Sequence, residues 1–219
     1  MALDEVAKLS SGQEATLMPF TIGATWIYAL ETTRTINGRD AGGESGTIQF
    51  KVAKTVPKSG GTQAVIEVSR EGQMTDRQIW LLNSKGLYQV AVGLNSALYT
   101  PMQPLVIFPV VENATFAFDG TGPTAVGKIG KMTGSGKILA SQGLDTELGR
   151  MSGIPVESLS KFTTDNGQGQ MENTTWFKPG VGIVRLKQTV LYQTQTPDKR
   201  TAQFLLDTTL KLRTYKVTP

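Results

Sequence analysis

The sequence predicts an all-β protein built on one strongly curved antiparallel sheet, preceded by a short helix. Apolar and polar residues alternate over most of the chain, Gly and Thr are abundant, and the apolar fraction is only 39%. This balance is typical of strands that are wet on one face and separated by many turns. A chain of 219 residues can bury a substantial core as one domain. We expect an N-terminal helix and lead-in over residues 1–18 and a single β-rich domain over residues 19–219.

The N-terminal segment departs from the alternating pattern. Leu3, Val6, Ala7 and Leu9 recur at helical spacing, and Ser10-Ser11-Gly12 ends the run. Apolar residues at this spacing, followed by a small-residue stop, predict one short helix before the first strand.

Five strands are predicted in the first half of the chain, because large apolar residues recur there at every second position. They are centred on Trp26-Tyr28-Leu30, Ile48-Phe50-Val52, Ala64-Ile66-Val68, Gln73 to Leu82 and Leu87 to Val90. The glycine-rich stretch 37–46 is expected to be a long hairpin loop. Glu71-Gly72 and Asn83 to Gly86 are expected to be turns.

The second half begins irregularly and ends with a clear hairpin. Prolines within residues 100–109 predict loops, followed by a short strand over 114–118. Glycines within 124–140 predict bulges or sharp bends in long strands. Strands are expected over 183–194 and 202–214, joined by Thr196 to Lys199. A meander of about ten strands must curl around a filling or fold over on itself.

Two aromatic-glycine segments are the strongest signature in the sequence. One runs from Pro19 to Tyr28 (PFTIGATWIY) and the other from Trp176 to Val184 (WFKPGVGIV). Each joins a Pro or Gly turn to large apolar residues at a strand terminus. They are interpreted as structural clasps that fix strands in the core, or as walls of whatever the sheet encloses.

These segments resemble the opening and closing motifs of uncharacterised bacterial envelope proteins of the TapB-like kind. Pro19 to Tyr28 is similar to F-P-L-x-x-G-x-x-W-x-Y, and Trp176 to Val184 to W-[FY]-x-P-G-V-G-x-V. Gly86-Leu87-Tyr88 and Gly153 to Ser158 are similar to the middle of that family, so the likeness spans residues 19 to about 195. It implies the half-barrel of the LolA and LolB lipoprotein carriers, with a concave apolar surface able to hold an acyl chain or a peptide.

Aromatic residues are the candidates to line that surface. They are Trp26, Tyr28, Trp80, Tyr88, Trp176 and Phe177. Aromatic walls are common in small-molecule sites, while core packing is the alternative for each tryptophan. Gln188 and Thr208 interrupt otherwise apolar faces of the last hairpin. They either pair across the strands or offer a polar anchor inside a cavity.

The catalytic repertoire of the chain is narrow. With no cysteine and no histidine, disulfides, thiolate nucleophiles, cysteine-zinc sites and imidazole bases are excluded. The run from Gly130 to Lys137 lacks P-loop spacing, and Ile138 stands where Ser or Thr would hold magnesium. Two carboxylate pairs are nominated for hydrolysis of glycosidic bonds, but solvated surface is favoured for both. These are Asp145 with Glu147 and Glu157 with Glu172. We expect no enzyme activity, no metal and no cofactor.

Charge and hydropathy limit the partners. The net charge is +4, but basic residues alternate along strands, as in Arg185 and Lys187, instead of forming a compact run. This predicts a solvated strand face and no nucleic-acid partner. The longest apolar stretch, Pro104 to Val111, is far shorter than the roughly 20 residues of a transmembrane helix.

The function expected from these observations is non-catalytic binding outside the cytoplasm. Residues 1–4 lack the basic start of a signal peptide, which leaves two cases open: a cytoplasmic protein, or a signal peptide that is absent from this sequence. The expected periplasmic or secreted location presumes the second case. The leading hypothesis is that a lipid or other hydrophobic or acylated ligand binds the concave face. The alternative is a structural or interaction module in envelope or surface assembly, with an envelope protein as partner.

Overall fold

The structure is a computed structural model that describes residues 14–196 and 198–217. These residues form thirteen β-strands. The strands are β1 (Thr25–Ile36), β2 (Arg39–Lys58), β3 (Gly61–Arg70), β4 (Gln73–Asn83), β5 (Gly86–Val92), β6 (Ala97–Ile107), β7 (Thr115–Pro123), β8 (Ile129–Ile138), β9 (Gln142–Thr146), β10 (Gly149–Thr164), β11 (Gly167–Lys178), β12 (Gly182–Gln195) and β13 (Thr201–Lys216).

Twelve of these strands close into one antiparallel barrel. Neighbours in sequence are neighbours in the ring, except that β10 follows β8 because β9 pairs only with the first residues of β10. The last strand, β13, pairs with β1 along the whole length of β1, from Thr25↔Lys216 to Ile36↔Phe204. The prediction of an open half-barrel is therefore wrong. The first and last strands of a long meander each expose an unpaired edge, and pairing them with each other removes both edges.

The predicted N-terminal helix lies mostly outside the described residues. Within them, Glu14 and Ala15 have helical backbone and no helix of a full turn follows. Leu17 and Met18 are instead buried in an irregular segment that leads into β1. No helix among the described residues is long and apolar enough to span a membrane.

Two predicted loop regions are strands. The glycine-rich stretch after β1 belongs to β2, and the hairpin turn is the pair Asn37-Gly38, whose φ angles of 51° and 75° are both positive. Such a two-residue turn matches the twist of the strands on either side. The proline-containing middle forms β6, which bonds to β7 through a single bridged pair, Thr100↔Thr121. Because proline has no N–H to give, the prolines of β6 weaken this seam without preventing a strand.

Two of the three glycines of β8 make room for aromatic rings, and none of the three marks a bulge. The register of β8 with β7 and β10 is continuous. Gly134 and Gly136 lie opposite Phe118 and Phe116, and a Cβ on either glycine would lie 2.4 Å or 2.1 Å from the facing ring. Gly134 and Gly136 thus mark positions where a side chain of the neighbouring strand approaches the backbone of β8 closely.

The two halves of the barrel are packed differently. We call the half where β1 begins and β13 ends the closed half, and the half where β1 ends at Ile36 the open half. A large cluster fills the closed half, with Trp26, Tyr28, Ile66 and Leu212 fully buried. The open half holds a small cluster of four buried residues. They are Met132, Phe162, Val190 and Tyr192.

Candidate functional site

The two aromatic-glycine segments contact each other in the closed half. Trp26 Nε1 donates a hydrogen bond to the carbonyl oxygen of Val181, and the Tyr28 hydroxyl donates to that of Ile183 at 2.9 Å. Both donors belong to side chains with no exposed surface, and burial raises the pKa of Tyr28 well above its ordinary value. Gly182 lies between the two acceptors at φ +100°, where an added Cβ would lie 2.8 Å from Met18 Sδ. We call this arrangement the clasp.

The segment before β1 covers the clasp. The Gly180 N–H donates to the Thr16 carbonyl, and the Val110 N–H donates to Glu14 Oε1, both at 2.9 Å. Leu17 and Met18 are buried below these contacts. The closed half is therefore filled with side chains up to its end.

The six aromatic residues nominated from the sequence do not surround one space. Five of them belong to the closed-half core, namely Trp26, Tyr28, Trp80, Trp176 and Phe177, where Trp80 Nε1 donates to Gln78 Oε1 at 3.1 Å. Only Tyr88 lies outside that core, and it is half-buried. The role of the six residues as ligand contacts stays a prediction, and the structure shows what holds them.

Tyr88 and the buried Trp176 are each held by polar contacts. The Tyr88 hydroxyl lies 3.4 Å from the Lys85 carbonyl oxygen. Trp176 Nε1 donates to Gln142 Oε1 at 3.1 Å, and the Arg185 guanidinium lies 5.5 Å from the centre of the Trp176 ring. Trp176 thus joins the barrel wall to the β9–β10 hairpin.

Inward-facing aromatic rings cross the open half at one level of the barrel. Phe162, Gly169, Tyr192 and Phe204 are register partners on β10 to β13. The Phe162 and Tyr192 rings stack across Gly169 at 6.0 Å, and Tyr192 lies 6.4 Å from Phe204. Phe204 is 37% exposed, and its register partner on β1, Ile36, is 42% exposed. This aromatic row faces the inside of the barrel, where Phe162 and Tyr192 are buried and Phe204 remains accessible.

A second inward-facing level, nearer the closed half, is polar. Its members are Ser158, Asn173, Gln188, Thr208 and Thr32, which are register partners on five neighbouring strands. All five are half-buried. Gln188 Nε2 donates to Asn173 Oδ1 at 2.9 Å. Gln188 and Thr208 are thus directly opposite across the strands, as one interpretation of the sequence expected, and they belong to a wider polar belt.

Charged residues stand at the rim of the open half. Glu44 Oε1 accepts from Arg70 at 3.0 Å and from Arg34 at 3.4 Å. All three side chains are substantially exposed, so each pair contributes little to stability. Glu44 is the register partner of Thr32 on β2, so this charged cluster lies directly beside the polar belt.

A partly buried tyrosine lies on the opposite inner wall of the open half. Burial, together with the nearby Asp76 carboxylate, raises the pKa of Tyr99 above its ordinary value. Tyr99 packs against Gly122, where a Cβ would lie 2.4 Å from its ring.

The nominated carboxylates lie on the outer surface. Glu157 and Glu172 line a groove of about 430 Å³ on the outer face of β7, β8, β10 and β11, together with Lys137. Glu147 lies beyond β9 and forms an ion pair of 2.8 Å with Arg213. The described part of the chain holds no group of three or more acidic side chains placed to bind a metal ion.

The aromatic row was not predicted from the sequence. Tyr192 and Phe204 were placed on the correct strands, but Phe162 lies in a run with little apolar alternation. The signal that could have found the row is Gly169, because a Cβ there would lie 2.5 Å from the Phe162 ring. A glycine within a strand often marks such a close approach.

Comparison with known proteins shows the fold. The chain matches a "putative lipoprotein" from Parabacteroides distasonis ATCC 8503 with a TM-score of 0.51 and 12% identity, over 92% of this chain and 98% of that one. A "putative exported protein with YmcC-like fold" from Bacteroides fragilis matches with a TM-score of 0.45 and 11% identity, over 91% and 98%. The hypothetical lipoprotein YmcC of Escherichia coli matches with a TM-score of 0.37 and 8% identity, over 97% and 91%.

The likeness to the Parabacteroides protein shows a shared fold. No protein-family model and no curated protein matches the sequence. The relation to TapB-like and LolA proteins that the motifs implied is not confirmed by these comparisons.

Proposed function

We propose that this protein is a non-catalytic, extracytoplasmic binding protein that holds a hydrophobic or acylated ligand inside the open half of its barrel. The observation that supports this best is the inward-facing yet accessible apolar surface of Phe204 and Ile36, exposed by 37% and 42%. In the closed half, inward-facing residues of the same strands, such as Tyr28 and Leu212, are fully buried.

The size of the ring explains why one half can stay open. About eight strands give an interior that side chains just fill, and the diameter grows with strand number. Twelve strands therefore enclose more space than ordinary side chains occupy. The closed half fills this space with large aromatic residues and with Leu17 and Met18 from the N-terminal segment. In the open half, no comparable segment covers the aromatic row within the described residues.

The location of the protein is proposed from its fold. A solved structure that shares this fold is named a "putative lipoprotein", which supports a place outside the cytoplasm. Cell fractionation of the full-length protein in its native host tests this, and recovery only with cytoplasmic proteins would overturn it.

The proposal of a non-catalytic role is supported by the positions of the carboxylates. Glu147 is engaged with Arg213 on the surface, and Glu157 and Glu172 line a wide outer groove. None of these acids faces the aromatic row. Without His or Cys, the inner wall carries binding groups and few candidates for proton transfer.

The test compares two faces of one strand. Phe204 faces inward and Gln203, one residue before it, faces outward on β13. A phenylalanine offers about 200 Å² of surface, so the 37% that is exposed amounts to about 70 Å². At about 25 cal/mol per Å², a ligand covering it gains about 2 kcal/mol, or about 20-fold in Kd.

The probe is N-phenyl-1-naphthylamine, which fluoresces when it leaves water. We expect the wild-type protein to bind it, Phe204→Asp to bind at least about 20-fold more weakly, and Gln203→Asp to bind like wild type. Absence of binding by the wild type, or an equal loss in both variants, would overturn the proposal.

The alternative function, an interaction module in envelope assembly, is favoured by one feature. Strand β9 pairs only with β10, so it keeps an unpaired edge among the described strands. A free edge can accept a strand from another protein. Loss of a cross-linked partner in cells carrying Gly143→Pro, with thermal stability unchanged, would support assembly over ligand binding.

A further inference from the structure

We infer that the ligand enters the open half head first, and that its head is uncharged and forms hydrogen bonds, as a hydroxyl, ester or amide does. This inference rests on the proposed function and adds the chemical class of the ligand. Its basis is the polar belt of Ser158, Asn173, Gln188, Thr208 and Thr32, which lies deeper in the barrel than the aromatic row.

The belt is continuous and contains no charge over five strands, and the next register partner, Glu44 on β2, is the first charged residue of the ring. Its five members are register partners on β10, β11, β12, β13 and β1. On β12 and β13 the next inward-facing residues toward the open end are the apolar Val190 and Leu206, whereas β1 and β10 place Arg34 and Ser160 at that level. Leu210 and Leu30 lie toward the closed half. A polar ring beside such apolar residues is unexpected in a filled core.

Several hydrogen-bonding groups of the belt have no partner among the described residues. Gln188 Nε2 donates to Asn173 Oδ1 and to Met171 Sδ, which leaves Gln188 Oε1 and Asn173 Nδ2 free. The hydroxyls of Ser158 and Thr208 form no hydrogen bond within this part of the chain, while that of Thr32 bonds to the backbone of Glu44. The belt therefore offers both donors and acceptors to a bound molecule.

A further unpaired hydroxyl lies one level nearer the open end. Ser160 is completely buried and its Oγ has no partner. Its side chain faces inward from β10 between Ser158 and Phe162. An unsatisfied buried hydroxyl is costly, and because Ser160 has no accessible surface, a ligand oxygen would supply the missing bond only after neighbouring side chains move.

The order of the levels sets the orientation of the ligand. Four residues separate Ser158 of the belt from Phe162 of the aromatic row, which is about 13 Å along a strand. A molecule spanning both levels has its polar group at the inner end and its apolar chain beside Phe162, Tyr192 and Phe204. The chain then leaves through the exposed apolar surface of Phe204 and Ile36.

The charged side chains nearest the belt already have partners. Glu44, the register partner of Thr32 on β2, is paired with both Arg34 and Arg70 at the rim. An ammonium or carboxylate head held by the belt residues of β10 to β13 would lose water and meet no unpaired counter-ion, whereas an uncharged head would regain its hydrogen bonds. The belt thus favours an uncharged head.

The experiment uses three amphiphiles with the same ten-carbon chain length and different heads. They are 1-decanoyl-glycerol, decanoate and decyltrimethylammonium, each below its micelle concentration at pH 7.5. Binding to the full chain is measured by displacement of N-phenyl-1-naphthylamine. We expect 1-decanoyl-glycerol to bind at least about 10-fold more tightly than either ion. This is the effect of one or two hydrogen bonds that the glycerol head forms with the belt and that a charged head does not form.

Two variants assign this preference to the belt. Gln188→Leu and Thr208→Val should each reduce the preference for the uncharged head to less than about threefold, with decanoate binding changed little. Thr209→Val, the adjacent residue on the outer face of β13, is the matched control and should keep the full preference. Thr208→Val nearly preserves the shape of the side chain and serves if Gln188→Leu does not fold.

The outcomes separate the two proposals. If none of the amphiphiles and no probe binds, the proposed function is wrong. If they bind but decanoate binds as tightly as 1-decanoyl-glycerol, or if the belt variants retain the preference, the head-first inference is wrong and the proposed function stands.

Discussion

Removal of one hydroxyl group should measure the strength of the clasp. The Tyr28 hydroxyl is fully buried and donates to the Ile183 carbonyl oxygen at 2.9 Å, between residues 155 positions apart. Tyr28→Phe deletes this donor and no carbon atom, so it creates little cavity and leaves a buried acceptor without its partner. Such a loss costs about 1–3 kcal/mol. For a chain of this size, each kcal/mol lowers Tm by about 2–4 °C.

The assay is urea unfolding at pH 7 with a thermal scan beside it. The m value should be unchanged, because the surface exposed on unfolding is the same. The control is Tyr215→Phe, whose side chain is 38% exposed and whose hydroxyl forms no hydrogen bond among the described residues. It should lie within about 0.5 kcal/mol of wild type. A Tyr28→Phe protein as stable as the control would show that the hydrogen bond to Ile183 does not stabilise the barrel.

Three further predictions concern backbone crowding and pH. Gly182→Ala should be clearly less stable than Gly180→Ala in the same urea assay, because both have positive φ but only Gly182 would crowd Met18; equal losses would contradict this. Gly169→Ala should lower stability and disturb the near-ultraviolet dichroism of the stacked rings, since its Cβ would lie 2.5 Å from the Phe162 ring, whereas Gly46→Ala meets only Arg70 Nη2 at 3.7 Å. The contribution of Tyr28 and Tyr99 to the free energy of unfolding should be fully present below pH 10 and should fall above it. In the unfolded chain a tyrosine ionises near a pKa of about 10, whereas burial raises the pKa of both residues in the folded state. The folded state then keeps protons that the unfolded state loses, so stability falls as the pH rises. Tyr99→Phe should therefore reduce the slope of stability against pH between 9 and 11. An unchanged slope would show that Tyr99 does not contribute to this pH dependence.

The strands themselves were largely predictable from the sequence. Alternation placed the last two strands within a few residues of β12 and β13, and the Glu71-Gly72 turn lies between β3 and β4, with φ angles of 50° and 79°. These features depend on neighbouring residues, so a local pattern carries them. The errors fell where polar or glycine-rich sequence nevertheless forms strands, as in the first half of β2.

Closure of the barrel could not be predicted from local pattern. The pairing of β1 with β13 joins residues at opposite ends of the chain, and alternation is the same whether a strand lies at an open edge or within a ring. The distinction between filled and open halves was also out of reach. Phe204 and Leu212 are both inward-facing apolar residues of β13, yet one is 37% exposed and the other fully buried. Their difference arises from the residues opposite them, which only the register identifies.

The unequal packing of the two halves allows stability and binding to be separated. The closed half contains most of the buried apolar side chains and the hydrogen bonds of the clasp, so it supplies most of the free energy that keeps the ring closed. The stabilising free energy of the closed half allows the open half to retain accessible apolar surface and an unpaired hydroxyl at Ser160. Functional regions commonly lie in the less stable parts of a fold. It follows that Tyr28→Phe should lower Tm without changing the ratio of affinities for uncharged and charged amphiphiles, while Thr208→Val should change that ratio at nearly constant Tm.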